Sequence, residues 1–174
     1  MTRSSTWRAV RGAGLGGLVL FAGIQLVPYG WRHPNPPVTQ DAPWPDADGE
    51  RIARASCYDC HSNETDWPVY AYVAPMSWLV RSDVESGRDE LNFSEWDRDD
   101  GGADKAIEEI LDGSMPPDRY AIIHLDARLT DSEAERLVAG LRVLDEELRD
   151  GNGGRDNDGG TDGGRGSDDE DGDD

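Results

Sequence analysis

The chain has 174 residues, and its 37 acidic and 17 basic side chains give a formal net charge of −20. A surface this acidic argues against a nucleic-acid-binding protein, because a polyanion would be repelled. Aspartate outnumbers glutamate, and 16 of the 17 basic residues are arginine. Because concentrated salt screens the self-repulsion of such a surface, we predict a halophilic source, with an ordinary acidic surface as the alternative.

Composition divides the chain into four segments. Residues 1–31 are apolar and glycine-rich, residues 32–47 are rich in proline, residues 48–149 contain both cysteines and the amphipathic patterns, and residues 150–174 contain ten acids and nine glycines. The first segment predicts a membrane anchor and the second an extended stalk. The third is long enough for one small domain, and the fourth is too polar to bury a core and is predicted to be disordered.

The anchor prediction rests on an uncharged run over residues 12–28, which follows Arg3, Arg8 and Arg11. As a helix, this run spans about 25 Å, slightly less than the hydrocarbon core of a bilayer. The basic residues before it predict an uncleaved, single-pass signal-anchor helix with a cytoplasmic N-terminus and an extracytoplasmic domain. A cleaved signal peptide is the alternative, but no small-residue cleavage site follows the run.

The central motif is CYDCH at residues 57–61, two cysteines three apart followed directly by a histidine. This spacing is the attachment signature of c-type haem. The thiolates of Cys57 and Cys60 can each form a thioether bond with one vinyl group of the porphyrin. His61 then lies next to them and can give a ring nitrogen to the iron.

Three other uses of the cysteine pair remain open. A zinc site needs four ligands, and a distant histidine, His33 or His124, would have to complete the set begun by the motif. His33 is a poor ligand candidate because it lies in the irregular proline-rich segment. A redox dithiol normally follows a β-strand, and no strand-like run precedes Cys57. A disulfide between the two cysteines would close only a tiny loop and would stabilise little.

Helix signals recur through the domain. An acidic N-cap at Asp46 or Asp48 predicts a first helix that leads into the motif and brings both cysteines onto one face. Pro75 predicts the start of a second helix, and Gly87 predicts its end. The inward-facing residues of the second helix are predicted to be Trp78, Leu79 and Val84.

Two further helices are predicted before the acidic tail. The third helix covers residues 103–111 and is ended by Gly113. Its inward-facing residues are predicted to be Ala106, Ile107, Ile110 and Leu111. The sequence TDSE at residues 130–133 is a capping box, which predicts the start of the last helix. One apolar stripe on that helix is formed by Leu137, Leu141, Leu144 and Leu148.

Met115 is the predicted sixth ligand of the iron. It directly follows the end of the third helix and precedes Pro116 and Pro117, which fix the position of its side chain. A thioether is a soft ligand that suits haem iron already bound by histidine. Met76 and His124 are the alternatives, although Met76 lies at the start of a helix and His124 lies in an apolar run typical of a packed core.

Four motifs occur in order along the chain: CYDCHSNET at residues 57–65, APMSWL at 74–79, LNFSEW at 91–96 and MPP at 115–117. Together they resemble the prokaryotic haem-binding domain family of small c-type cytochromes, and the likeness covers roughly residues 26–142. The resemblance implies a single-haem, mostly helical, membrane-tethered domain. It further favours Met115 over Met76, because we expect an aliphatic residue at position 76 in the family.

We therefore predict an all-α, cytochrome c-like, membrane-anchored protein that holds one covalent haem c and transfers single electrons on the extracytoplasmic face of the cell membrane. Cys57 and Cys60 attach the haem, and His61 and Met115 bind its iron, with His124 as the rival sixth ligand. The chain is predicted to be an electron carrier for a redox partner protein and not an enzyme. The alternative is a haem-based gas sensor or ligand-binding module. A haem peroxidase, which needs an open iron and a distal acid–base pair, is a weaker alternative.

Overall fold

A computed structural model of the chain describes residues 3–98 and 102–153. Within these residues the only β-structure is an isolated bridge between Gln40 and Glu95, which confirms the predicted all-α class. The helices in chain order are α1 (Arg3–Ile24), α2 (Ala47–Ser56), α3 (Tyr58–His61), α4 (Met76–Glu90), α5 (Gly102–Leu111), α6 (Asp118–Ala121) and α7 (Asp131–Gly153). The tail predicted to be disordered begins at residue 150, but α7 continues to Gly153, so the predicted boundary was wrong by four residues. Residues 154–174 lie outside the described residues.

Helix α1 covers the apolar run for which a membrane anchor was predicted. Large apolar side chains along it, including Leu15, Leu18 and Leu20, are exposed. The transmembrane part of the prediction is not supported: among residues 3–98 and 102–153, no helix is both long enough and apolar enough to pass through a bilayer. Five glycines within the helix dilute its apolar character.

Residues 32–46 are extended, as their prolines predict, but they lie against the domain and do not form a free stalk. The backbone N–H of Ala42 donates to the carbonyl of Phe93 at 2.8 Å. The Arg88 guanidinium donates to the carbonyl of Pro34 at 3.0 Å. Because backbone groups of the extended segment are paired with the domain, we refer to residues 32–46 as the strap.

Two helix starts predicted from side-chain caps are confirmed. The Asp46 carboxylate caps α2 by accepting from the backbone N–H groups of Asp48 and Gly49, at 3.0 and 2.9 Å. At the start of α7, the Thr130 N–H donates to the Glu133 carboxylate at 3.0 Å, and the Glu133 N–H donates back to the Thr130 hydroxyl at 3.3 Å. Each arrangement satisfies backbone donors that a helix N-terminus leaves without partners.

The core forms where α7 packs against α5 and α2. The predicted stripe on α7 is confirmed, since Leu137, Leu141 and Leu144 are fully buried and Leu148 packs against the same cluster. On α5 the inward prediction was wrong for Leu111, which is 64% exposed. Leu111 is the last residue of α5, so no further turn of helix brings it over the core.

Helix α4 differs from its prediction in two ways. It continues through Gly87 to Glu90, and Leu79 is exposed whereas Val84 is buried. Gly87 does not end the helix. Glycine is required there because a Cβ atom would lie 2.5 Å from the carbonyl oxygen of Cys60. The missing side chain therefore lets the backbone of α4 cross directly over the cysteine motif.

Replacing Gly87 with alanine tests this close crossing. The added methyl group would overlap backbone atoms of Cys60, so α4 or the motif must shift. We expect the free energy of unfolding to fall by about 1–3 kcal/mol, the usual cost of overpacking. Urea denaturation followed by far-UV circular dichroism measures this loss.

The matched control is Gly49→Ala in α2, where the added methyl group would lie 3.4 Å from the nearest atom, an ordinary contact. Alanine favours a helix over glycine by about 1 kcal/mol, so the control should be as stable as the unchanged protein or more stable. Equal stability of the two variants would show that the crossing at Gly87 leaves room for a side chain.

Candidate functional site

The cysteine motif forms a tight turn between α2 and α4. Helix α2 ends at Ser56, and the short helix α3 begins one residue after Cys57. The backbone N–H groups of Cys60 and His61 both donate to the Cys57 carbonyl, at 3.1 and 2.9 Å. The predicted continuous helix is therefore interrupted at Cys57, and a separate helical turn presents the second cysteine and the histidine.

A cavity of about 370 Å³ lies beside this turn, a volume within the usual range for small-molecule sites. All four residues predicted to hold the haem, Cys57, Cys60, His61 and Met115, line this one cavity. Apolar parts of its wall are supplied by Leu91, Phe93, Ala106, Ile110, Leu129 and Leu141. The fold thus brings together a motif on α3 and a methionine more than fifty residues later in the chain.

The imidazole of His61 is oriented by the chain that leaves α4. Its Nδ1 lies 3.2 Å from the carbonyl oxygen of Leu91, to which the Nδ1–H donates. Burial lowers the pKa of His61, while hydrogen bonding to the Leu91 and Gly87 carbonyls acts in the opposite direction. The neutral ring therefore keeps its proton on Nδ1 and has the lone pair of Nε2 available for a metal, the usual arrangement of a histidine ligand.

Both thiols are free and partly buried. Burial raises the pKa of Cys57 to about 12, and the nearby Cys60 adds to the shift. Burial likewise raises the pKa of Cys60 to about 12, with further contributions from Asp83 and Asp59. A redox dithiol needs a cysteine with a lowered pKa, so these protonated thiols argue against that use of the pair.

The two other histidines of the chain are held elsewhere by other partners. His33 Nε2 lies 2.9 Å from the carbonyl oxygen of Ala71. His124 Nε2 lies 2.7 Å from the Tyr70 hydroxyl, and its ring is stacked 4.2 Å from that of Tyr120. In the described part of the chain, no three His, Cys, Asp or Glu side chains are grouped so as to hold a metal ion, which argues against the zinc alternative.

Met115 is held in place at the end of α5. Gly113 adopts a φ of +74°, a conformation that glycine favours, and turns the chain after the helix. The backbone N–H of Met115 then donates to the carbonyl of Glu109 at 3.1 Å. Pro116 lines the cavity beside Met115, whose side chain is 36% exposed. The rival sulfur, Met76, lies outside the cavity wall at the first residue of α4.

Asn63 fixes the loop that follows the motif. Its backbone N–H donates to the Ser94 hydroxyl at 3.0 Å, and its side-chain amide donates to the Pro37 carbonyl at 3.1 Å and to the Glu95 carboxylate at 2.9 Å. Sequence reasoning used Asn63 only as part of the family motif and assigned it no role. Its position two residues after His61 was the only local signal.

Arg88 on α4 makes a second set of bonds to the same loop. Its guanidinium donates to the Ser62 carbonyl at 2.7 Å and to the Thr65 hydroxyl at 2.9 Å. It also donates to the side-chain oxygen of Asn35 in the strap, at 3.2 Å. Arg88 therefore joins α4, the motif loop and the strap, a role that no local sequence signal indicated.

One tyrosine at the cavity pairs with a residue inside the motif. The Tyr120 hydroxyl donates to the Asp59 carboxylate at 2.6 Å, and both residues line the cavity. Burial raises the pKa of Tyr120, and the hydrogen bond to Asp59 raises it further, so the phenol stays protonated. This pair joins α6 to the motif across 61 positions of sequence, which explains why sequence reasoning did not find it.

Comparison with other proteins identifies the domain. No curated protein and no solved structure matches the chain. The comparison with protein families matches residues 19–142 to a haem-binding domain, and this range includes the cysteine motif and Met115. The match covers most of the chain and confirms the resemblance drawn from its motifs. The chain therefore belongs to the haem-binding domain family.

Proposed function

We propose that this haem-binding domain is a monohaem c-type cytochrome that transfers single electrons. One observation carries the proposal: two free thiols, an imidazole with its Nε2 available and a thioether all line the same largely apolar cavity. This donor set matches covalent haem better than zinc, because no three ligand side chains of the described residues are grouped to hold a metal ion. It also matches haem better than a redox dithiol, because burial raises the pKa of both thiols.

Each residue of the set has a separate role. The thiols of Cys57 and Cys60 each add sulfur and hydrogen across one vinyl group of the porphyrin, which gives two thioether bonds. His61 binds the iron through Nε2, and Met115 binds it through sulfur. When bound, the haem supplies an iron that changes by one electron, and ligation by nitrogen and sulfur favours a higher reduction potential than ligation by two nitrogens.

The surroundings suit an electron carrier better than a substrate-binding enzyme. If His61 and Met115 both held the iron, no position would be left on it for a substrate. Phe93 and Leu141 are almost fully buried in the cavity wall and exclude water, whereas Met115 is partly exposed at the surface. Electrons would therefore pass through the edge near Met115, to a redox partner protein whose basic surface complements the acidic surface of this chain.

We further propose that α1 attaches the protein to a membrane and that the haem domain lies on the extracytoplasmic side, where c-type haem is attached. Leu15, Leu18 and Leu20 are 64%, 63% and 69% exposed to solvent. Burying each such side chain in lipid contributes about 1.5–3 kcal/mol. The absence of charge over residues 12–31 removes the main cost of that burial.

Replacing Cys57 and Cys60 together with serine tests covalent attachment. We expect acidified organic solvent to extract the haem from this variant but not from the unchanged protein, because no thioether bond remains. Haem staining of a denaturing gel and a pyridine haemochrome spectrum measure the attachment. Ser56→Ala, which alters a neighbouring cavity residue but no sulfur, should keep its haem. Release of the haem from the unchanged protein would show that attachment is not covalent.

Replacing Met115 with alanine tests the sixth ligand. We expect loss of the sulfur-to-iron charge-transfer band, a lower reduction potential, and rapid binding of carbon monoxide by the ferrous protein, because one side of the iron is opened. The matched control is Met76→Ala, which removes a sulfur outside the cavity and should leave all three properties unchanged. A retained band in the Met115 variant excludes this ligand, and rapid carbon monoxide binding by the unchanged protein would favour a gas sensor.

Replacing Leu18 with aspartate tests membrane attachment. We expect binding of the full chain to lipid vesicles to fall by about tenfold or more, since at least ~1.5 kcal/mol of apolar burial is lost and a charge must be desolvated. Vesicle flotation measures the bound fraction. Val143→Asp is the control, because Val143 is an exposed apolar residue on α7. Equal losses for the two variants would show that α1 has no special part in binding lipid.

A further inference from the structure

Two uncharged stretches of this acidic chain meet in the fold. Charged residues make up 31% of the sequence, yet none occurs over residues 12–31 or over residues 67–80. The first stretch covers the second half of α1 and the residues that follow it. The second stretch covers the residues that lead into α4 and the first turn of that helix. Their meeting makes one region of the surface largely apolar, with Glu85 at its edge, where the Glu85 carboxylate accepts from the Tyr29 hydroxyl at 2.8 Å.

The junction between the stretches is tightly bonded. The Gln25 side chain, one residue beyond α1, donates to the carbonyl of Ala74 at 3.1 Å and accepts from the N–H of Ala74 at 2.9 Å. Gly30 lies so close to Ser77 that a Cβ on Gly30 would be 2.7 Å from the Ser77 carbonyl oxygen. The end of α1 is therefore fixed against the start of α4.

Large apolar side chains surround this junction and remain exposed. We refer to them as the base patch, which consists of Leu26, Val27, Trp31, Tyr72, Val73 and Met76. Leu26 is 77% exposed and Tyr72 is 62% exposed, so the domain does not cover them. Exposed apolar side chains grouped around one junction mark an interaction site more often than singly scattered ones do.

Three features of the base patch match the interface of a lipid bilayer. It continues the exposed apolar surface of α1, and its aromatic residues, Trp31 and Tyr72, are of the types that favour the headgroup level. Arg32 and Arg81 flank it, since the Arg81 guanidinium donates to the carbonyl of Arg32 at 3.2 Å, and Arg81 is itself paired with the Glu85 carboxylate at 2.6 Å, so Arg32 supplies the flanking positive charge. Cations beside an apolar patch complement anionic headgroups, although the chain as a whole is strongly acidic.

We propose that the base patch is a second lipid-contacting surface, which seats the haem domain on the bilayer at the point where α1 leaves it. This inference rests on the proposed attachment through α1 and adds a defined orientation of the domain. Helix α4 begins at the patch, and Gly87, at the cavity, lies ten residues after Ser77, about 15 Å along the helix axis. The seated domain therefore holds its cavity near the membrane surface.

Site-directed spin labelling of the full haem-loaded chain tests the seating. Both native cysteines are used by the haem, so an introduced cysteine is the only free thiol. Val73→Cys reports on the base patch, Leu18→Cys on α1, and Val143→Cys on the exposed face of α7 as a control. The visible spectrum shows that each variant keeps its haem site, and Tyr72→Cys replaces Val73→Cys if that variant does not fold.

The measured quantity is the ratio of label collisions with oxygen, which enters lipid, to collisions with a water-soluble nickel complex, in vesicles that contain anionic lipid. We expect a ratio several-fold higher at positions 18 and 73 than at position 143. If the ratio is high at position 18 but as low at position 73 as at position 143, the seating is overturned and attachment through α1 still holds. Aqueous ratios at both positions overturn the attachment itself, and spin–spin broadening at position 73 would show a second copy of the chain on the patch in place of lipid.

Discussion

The site depends on the crossing of α4 over the cysteine motif. Gly87 allows the two backbones to touch at Cys60, and the chain that leaves α4 then runs past His61. There the Leu91 carbonyl accepts from His61 Nδ1, and the Phe93 N–H donates to the His61 carbonyl at 2.8 Å. The histidine is thus held from both its ring and its backbone by one short segment. A shift of α4 would move both contacts together.

The same segment also builds the apolar side of the site. The ring of Phe93 is stacked on Tyr58 at 5.1 Å and on Trp96 at 6.0 Å, and Phe93 is 1% exposed. Burial of a side chain of this size contributes about 1.5–3 kcal/mol, and each aromatic contact adds about 0.5–1.5 kcal/mol. On the polar side, Asn63 and Arg88 donate hydrogen bonds to groups of the motif loop and the strap, so the polar groups there have partners. Burial against these apolar walls raises the pKa of both thiols, whereas the charge of Arg88 acts in the opposite direction on Cys60.

The features that depend on neighbouring residues in the chain could be predicted from the sequence. The CYDCH spacing, the N-caps at Asp46 and Thr130 and the leucine stripe of α7 each depend on residues within a few positions of one another. Errors arose where a distant contact decided the outcome. Gly87 has the sequence signature of a helix end, but its neighbour in space is 27 positions away. The strap was expected to be free because its prolines prevent helix, yet nothing local shows that Asn63 and Arg88 would bind its carbonyl groups.

Helix α4 connects the end of α1 to the wall of the cavity. The segment that enters it carries the junction with α1, its last turn carries Gly87 and Arg88, and its exit supplies the carbonyl that orients His61. A helix of 15 residues is stiff over its length of about 22 Å. The position of the end of α1 is therefore transmitted to the cavity without a flexible linker, whereas a free stalk would have left the haem site unoriented. In this fold the junction with α1 and the wall of the cavity lie at the two ends of one helix.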